Sequence, residues 1–306
     1  MTILAGMSTG ACRGQDLAPR AYVITPLHSN AINLTYSFFT GSLSLNGVLP
    51  VSNATGTYSV PIFSLYHSFS LLGRSANVAV LLPYGVGHFR GSVQGTNLEI
   101  YRSGLLDSGL RFSVNLKGGP AMPISQFVKW RQKTVLGASL RVVIPTGQYD
   151  SKKLINWGIN RWAFRPEFGY SRRLAQKWVL DGYAGVWFFT TNQHFFSNPV
   201  PRPQSEGPIG SFEGHLSYDA KNFRGKTPLW FSLDGNFWYG GTTSVGGKSN
   251  SATRQTSSRI GVTAAIPIGR HQSIKTSFSS GDYVRFGGNY QNVSVSWQYS
   301  WLGRPN

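Results

Sequence analysis

Alternation of apolar and polar side chains runs through this chain and is clearest near its end, in the ten residues 292–301. Apolar residues take every second position there, and serine or glutamine lies at most of the others. Because successive side chains of a strand point to opposite faces, this stretch is predicted to be a strand with one apolar and one polar face. Its length and its aromatic end are typical of a strand that crosses a bilayer.

The same alternation recurs along the chain and predicts about twelve strands. In residues 110–117 it has no exception, and charged or polar side chains there need water or a polar interior on their side. We predict long loops at residues 41–56, 96–107, 145–161, 192–210 and 240–257, with short turns after most other strands. Residues 118–133 break the rule, because a long connection lies there where a short one is expected.

This pattern indicates an all-β fold, a single antiparallel up-and-down transmembrane β-barrel of about 12 strands. Barrels of the outer membrane have an even number of strands, short periplasmic turns and long outer loops. An even number of strands places both termini on the periplasmic side. A soluble β-sandwich also predicts many short strands, but with less regular alternation of loop lengths.

Composition supports the membrane interpretation. Charged residues make up 13% of the chain, below the roughly 25% of soluble domains, and no apolar run approaches the length of a membrane helix. The net charge of +18 comes from singly scattered basic residues, and no nucleic-acid-binding motif accompanies them. We therefore expect no nucleic-acid partner. The basic residues instead indicate anionic surroundings, such as outer-membrane lipid and lipopolysaccharide, or a lumen that favours anions. The single cysteine, Cys12, excludes a disulfide framework.

The chain is expected to divide into an N-terminal segment, residues 1–24, and the barrel, residues 25–306. Residues 1–14 hold only a short apolar stretch where a protein of the bacterial outer membrane has a signal peptide. A truncated signal or a linker is therefore predicted there, with the mature domain beginning near Gln15.

Charged residues on the polar faces of the strands are the candidates for lining a lumen. They are Arg111, Arg141, Arg165, Glu167, Asp181, Glu213, Asp219, Asp234, Arg259 and Lys275. Two alternatives stay open for this set, a selectivity filter for a small solute and an internal network of ion pairs that plugs the barrel. In the long loop after residue 144, Asn156, Asn160 and Arg161 are candidates either for gating the outer mouth or for satisfying backbone groups.

Catalytic chemistry is not predicted. His215, Ser217 and Asp219 share one face of a strand, but neighbours two apart on a strand lie roughly 6.5–7 Å from each other, too far for a triad. The six histidines lack metal-ligand spacing, so no metal and no cofactor are expected.

Several motifs resemble a family of bacterial β-barrels named for the MetA pathway of phenol degradation. The longest is LINWGINRWAFRPE at residues 154–167. The others are RSANV at 74–78, LLPY at 81–84, GLRFSVNL at 109–116, PTGQYD at 145–150, YAGVWFF at 183–189 and SRIG at 258–261. The resemblance covers nearly the whole chain.

This resemblance implies an outer-membrane barrel that passes small hydrophobic or aromatic compounds passively. The alternative is a structural or surface-interaction barrel with a plugged lumen. The expected partners are outer-membrane lipid, lipopolysaccharide and a small hydrophobic or aromatic solute.

Overall fold

Antiparallel strands account for nearly all regular structure in the computed structural model, which describes residues 17–44, 51–93, 95–197, 200–223 and 227–303. One helical turn, α1 (Ile124–Phe127), and one 3-10 turn (Ser251–Thr253) accompany them. The strands are β1 (Ser29–Ser44), β2 (Val51–Leu71), β3 (Arg74–Val93), β4 (Thr96–Leu105), β5 (Ser108–Lys117), β6 (Thr134–Ile144), β7 (Ala163–Arg173), β8 (Trp178–Phe189), β9 (Asn192–Phe195), β10 (Arg202–Glu206), β11 (Ile209–Phe223), β12 (Thr227–Gly240), β13 (Thr243–Val245), β14 (Lys248–Asn250), β15 (Gln255–Pro267), β16 (Gln272–Val284) and β17 (Gly287–Leu302).

The main sheet closes on itself. Its strands pair with their sequence neighbours around the barrel, and the last strand, β17, pairs with the first, β1, from Ser29 opposite Leu302 to Ser44 opposite Gly287. Strands β4 and β5 occupy successive halves of one edge of β3, so the barrel has twelve positions. The predicted twelve-stranded barrel is confirmed, and Ser29 opposite Leu302 places both ends of the barrel sequence at one rim.

Two predicted loops are wrong. Most of residues 96–107 form strand β4, which pairs with β3 from Thr96 opposite Val93 to Leu105 opposite Tyr84. The polar stretch 41–56 is largely the extended ends of β1 and β2. At 21 and 20 residues, β2 and β3 exceed the 9–11 residues that cross a bilayer, so their ends project beyond it. Strand ends that lie in water carry polar residues on both faces. Such residues resemble a loop in sequence, which is why the pattern predicted one here.

The two faces of the wall differ as the alternation predicts. Leu233 is 63% exposed on the outside, whereas its neighbour Asp234 is 2% exposed on the inside. Aromatic pairs lie on the outside near the rim that holds the termini, with Trp178 and Tyr218 rings 4.9 Å apart. Such an apolar belt with an aromatic girdle is the lipid-facing surface of a transmembrane barrel.

Long connections gather at the rim opposite the termini. They include residues 145–162 between β6 and β7, and the two excursions that carry β9, β10, β13 and β14, which form a separate four-stranded sheet. Among the described residues, the turns at the rim with the termini are short, apart from the segment around α1. Across the described ranges, no helix has the length and hydrophobicity to span a membrane.

Candidate functional site

Residues 17–28 cross the interior of the barrel before the first strand begins. At one end Leu17 lies against Gly261 of β15. In the middle, the backbone N–H of Arg20 donates to Asp181 and the Arg20 guanidinium pairs with Asp219. At the other end the Thr25 hydroxyl contacts the Tyr66 hydroxyl of β2 at 2.9 Å. This segment therefore spans from β15 to β2 and fills part of the lumen near the rim with the termini.

Tyr22 anchors this segment in a seat made by two glycines. A Cβ placed on Gly137 or Gly169, which face inward on β6 and β7, would lie 2.2 or 2.0 Å from the Tyr22 ring. The Tyr22 hydroxyl donates to Glu167 at 2.9 Å and contacts Ser139 at 3.0 Å. Burial is the main cause that raises the pKa of Tyr22, which stays neutral and able to donate.

A continuous polar network connects this seat with the far wall of the barrel. Arg165 Nη2 lies 2.9 Å from Glu167 and 2.7 Å from Glu213. His215 follows, 3.7 Å from Glu213 through Nε2 and 2.8 Å from Asp234 through Nδ1. Since these side chains are buried, each charge needs its partner to offset desolvation.

Asp234 is the most heavily bonded carboxylate of the network. Besides His215, it accepts hydrogen bonds from the Ser232 and Thr263 hydroxyls, each at 2.6 Å. The network therefore reaches β15 and joins five strands through their inward faces.

Three of the four predicted lumen arginines lie side by side. Arg111 of β5 is opposite Arg141 of β6, which is opposite Arg165 of β7. We call these three residues the arginine rung. Arg111 lies 3.7 Å from Glu167 and 5.2 Å from the centre of the Tyr22 ring. Within the described ranges no hydrogen bond or ion pair joins Arg141 to another residue.

The remaining lumen candidates also face inward but lie apart from the rung. Asp181 and Asp219 hold residues 17–28, and Asp219 also pairs with Arg173 at 3.1 Å. Arg259 donates to the Ser279 hydroxyl and to the Tyr290 carbonyl, and its guanidinium lies 4.1 Å above the Tyr290 ring. Lys275 faces inward in register with the buried Ser296, yet its side chain is exposed.

One side of the interior is less filled than the rest. Asn33 and Thr35 of β1 and Ser294 of β17 face inward but are only half-buried, and Lys275 is exposed beside them. This polar wall lies across the barrel from the arginine rung. Because its inward side chains are only partly buried, solvent reaches them.

The loop of residues 145–162 folds into the opposite rim, where the Asp107 carboxylate binds it near both ends. Asp107 lies in the break between β4 and β5 and accepts hydrogen bonds from the backbone N–H of Gly147 at 2.9 Å and of Ile159 at 2.8 Å. Gly147 and Gly158 touch each other through their backbones. Asp107 therefore clamps both ends of the loop to the barrel wall.

An outer aromatic cluster forms where this loop meets the wall. It consists of Phe39, Tyr58, Phe89, Trp157 and Tyr290. The Trp157 ring lies 6.0 Å from Tyr58 and 5.9 Å from Phe89, at angles of 62° and 58°. Beneath the Trp157 ring, β3 has a glycine, Gly85, at an inward position. A Cβ on Gly85 would lie 2.7 Å from this ring. Aromatic side chains therefore pack between the loop and the barrel wall at this rim, with the Arg259 guanidinium above the Tyr290 ring.

The three outer-loop candidates lie within the same loop. Asn156 accepts from the Asp150 N–H and donates to the Asp150 and Lys153 carbonyls. Asn160, with a positive φ of 53°, donates to Asn192 at 2.9 Å. Arg161 forms a buried ion pair with Glu206 and lies 4.9 Å from the Phe189 ring centre. All three contribute to the shape of the loop.

Sequence reasoning missed Tyr22, Asp107 and Trp157 as parts of the interior. Tyr22 and Asp107 lie outside the alternating strands, where periodicity carries no information. Trp157 belongs to the most specific motif of the chain, but nothing in its spacing indicates that it turns inward. The sequence did contain one indication of these residues, the glycines at inward positions 85, 137 and 169. Each leaves room for a large side chain from elsewhere in the chain.

The histidine of the interior is not arranged for nucleophilic catalysis. His215 Nε2 faces Glu213 rather than a hydroxyl, and the Ser217 hydroxyl donates to Ser232 at 3.3 Å. Among the residues that the structure describes, no group of three His, Cys, Asp or Glu side chains has the geometry to hold a metal ion.

Solved structures with the same fold are outer-membrane proteins. The COG4313 outer membrane channel from Pseudomonas putida F1 aligns over 94% of this chain and 100% of its own, with a TM-score of 0.75 and 18% identity. The β domain of the Bordetella autotransporter BrkA aligns over 90% and 100%, with a TM-score of 0.55 and 13% identity. No protein of curated function matches the sequence significantly.

The twelve-stranded closure and the apolar belt place the protein in a bacterial outer membrane. Residues 47–297 match the model of the family described as "Putative MetA-pathway of phenol degradation". The match covers most of the barrel, and the chain belongs to this family.

Proposed function

We propose that this protein is a passive outer-membrane channel for small hydrophobic or aromatic compounds. The observation that carries the proposal is the outer aromatic cluster. In a barrel of this family, it places side chains suited to an aromatic solute at the outer rim. Aromatic rings favour offset or edge-to-face contacts at 4.5–7 Å, the range of the contacts within the cluster.

In this proposal a solute enters by displacing the 145–162 loop and then passes along the half-buried polar wall. The lumen candidates Arg111, Arg141 and Arg165 face this path, while Glu213, His215 and Asp234 keep the wall rigid. No cofactor, covalent intermediate or energy source enters the proposal, and the protein acts as a conduit rather than an enzyme. Contact with lipopolysaccharide and lipid through the apolar belt completes the set of proposed partners.

A plugged structural barrel is the second candidate, and the polar network favours it. Residues 17–28 and the chain from Tyr22 to Asp234 fill much of the interior with mutually bonded groups. If these groups never separate, no solute passes and the barrel serves as a scaffold for its outer loops.

Single-channel recording of the full chain in a planar bilayer separates the two candidates. The channel proposal expects discrete conductance steps whose size or frequency changes when phenol is added, because the ring competes for the path that ions use. A matched addition of glycerol serves as the control for nonspecific effects. A stably inserted protein that gives no steps would reject the channel and leave the plugged barrel.

A further inference from the structure

Three arginines on one rung form an arrangement that is destabilising by itself. Directly opposite side chains on adjacent strands lie about 5 Å apart, and like charges at such positions repel. Arg111, Arg141 and Arg165 follow each other on β5, β6 and β7 in this way. The rung therefore needs counter-charges within reach of its guanidinium groups.

The described part of the chain supplies fewer counter-charges than the rung needs. Arg165 binds both Glu167 and Glu213, at 2.9 and 2.7 Å, and Arg111 shares Glu167 at a longer 3.7 Å. Glu213 also faces His215. Arg111 Nη2 is buried and makes no hydrogen bond within the described part of the chain, and Arg141 has no acidic partner there. One positive charge of the rung is thus left for an added anion.

The wall beside the rung is formed by small and apolar residues, with the Tyr66 ring next to them. On the neighbouring strand, Ala79 lies opposite Arg111 and Leu81 lies opposite Gly109, and Tyr66 of β2 lies opposite Ala79. A Cβ on Gly109 would meet only Leu81 atoms within 4 Å, at 3.6 Å, so the wall has room at this position next to Arg111. Arg141 itself is only half-buried and therefore reachable from the interior.

We propose that the arginine rung binds the oxyanion of a small aromatic acid, with Arg141 as its main ligand and the ring resting towards Ala79 and Leu81. The planar fork of arginine matches a carboxylate in a bidentate way. This inference rests on the proposed channel function and specifies the charge of its solute. A neutral aromatic compound lacks the oxyanion and gains nothing from the rung.

Benzoate and benzamide are suitable probes, because they share shape and ring and differ in charge. Their binding to the detergent-solubilised full chain is measured by titration calorimetry, for the wild type and for Arg141→Gln. Lys275→Gln is the matched control, since it removes one inward positive charge that is remote from the rung and has no acidic partner in the described ranges. Arg141→Lys keeps the charge but loses the fork. Heat-modifiable migration in gels verifies that each variant is folded.

We expect Arg141→Gln to weaken benzoate binding about tenfold or more, as loss of a charge-assisted hydrogen bond does, and to leave benzamide unchanged. Arg141→Lys should recover part of the loss, and Lys275→Gln should match the wild type. Equal losses in Arg141→Gln and Lys275→Gln, or no loss in either, would overturn the proposal. Acetate binding as tight as that of benzoate would overturn its aromatic part.

Benzoate flux into proteoliposomes then distinguishes failure of the binding site from failure of the channel function. Benzoate that binds through Arg141 but does not cross the membrane would retain the site and reject the channel function. Benzoate flux that is indifferent to Arg141→Gln, with unchanged binding, would retain the channel and reject the site.

Discussion

Among single residues, the buried carboxylates contribute most to the order of the interior, because each accepts several hydrogen bonds. Asp234 satisfies His215, Ser232 and Thr263 at once, and Asp107 satisfies two backbone N–H groups of the outer loop. Each oxygen replaces water that the donors would otherwise require. Removal of such a group leaves several buried donors without an acceptor, which makes these positions more sensitive than any apolar residue of the belt.

Asp234→Ala is predicted to destabilise the barrel by about 3 kcal/mol. The reason is that His215, Ser232 and Thr263 would stay buried without their shared acceptor. Urea unfolding of the protein in lipid vesicles, followed by tryptophan fluorescence, measures the change. Asp282→Ala is the control, since Asp282 is exposed and accepts one bond from Ser258 at 3.1 Å. Equal stability of the two variants would contradict a supporting role of the network.

At the scale of elements, two segments that are not strands give the interior its character. Residues 17–28 cross the lumen at one rim, and the 145–162 loop folds into the other. In the channel proposal each segment obstructs the passage at its own rim, so release of either one raises the frequency of opening. The main sheet closes through pairing between its own strands. The two segments add only bonds at strand ends, such as those from the His28 N–H to the Ser68 carbonyl and from the Gln148 N–H to the Leu105 carbonyl.

Deletion of residues 17–28 is therefore predicted to leave insertion intact and to raise the frequency of conductance steps. Heat-modifiable migration in gels reports insertion, and planar-bilayer recording reports the steps. Gly169→Leu provides a second route to the same state, because a side chain at that position takes the space of the Tyr22 ring. A deletion variant with unchanged conductance would show that the segment does not limit passage.

The alternation of side chains was sufficient to predict the barrel and the two faces of its strands, because period two is a local property of strands. The break between β4 and β5 escaped prediction, since Leu106 and Asp107 are set by the loop that docks there. The insertion of residues 17–28 also escaped, because a short irregular segment carries no periodic signal. Contacts between distant parts of the chain cannot be read from local pattern.

At the scale of the whole molecule, the protein is a closed barrel with layered contents. An aromatic layer lies at the outer rim, charged groups occupy the middle, and residues 17–28 lie near the rim with the termini. This order suits a solute with a ring and a polar group, which meets aromatic side chains first and arginines afterwards. Outside, the apolar belt and its aromatic girdle fit the barrel to the bilayer.

Single-channel recording of Asp107→Ala beside the wild type tests whether the 145–162 loop closes a passage through the barrel. Loss of Asp107 removes the two hydrogen bonds by which its carboxylate holds the 145–162 loop, so the variant should open more often and should conduct through a path that phenol still modulates. Asp150→Ala, which changes an exposed carboxylate on the same loop, should behave as the wild type. Identical recordings from wild type and Asp107→Ala would contradict the account, because the loop would then not be the closure of a passage.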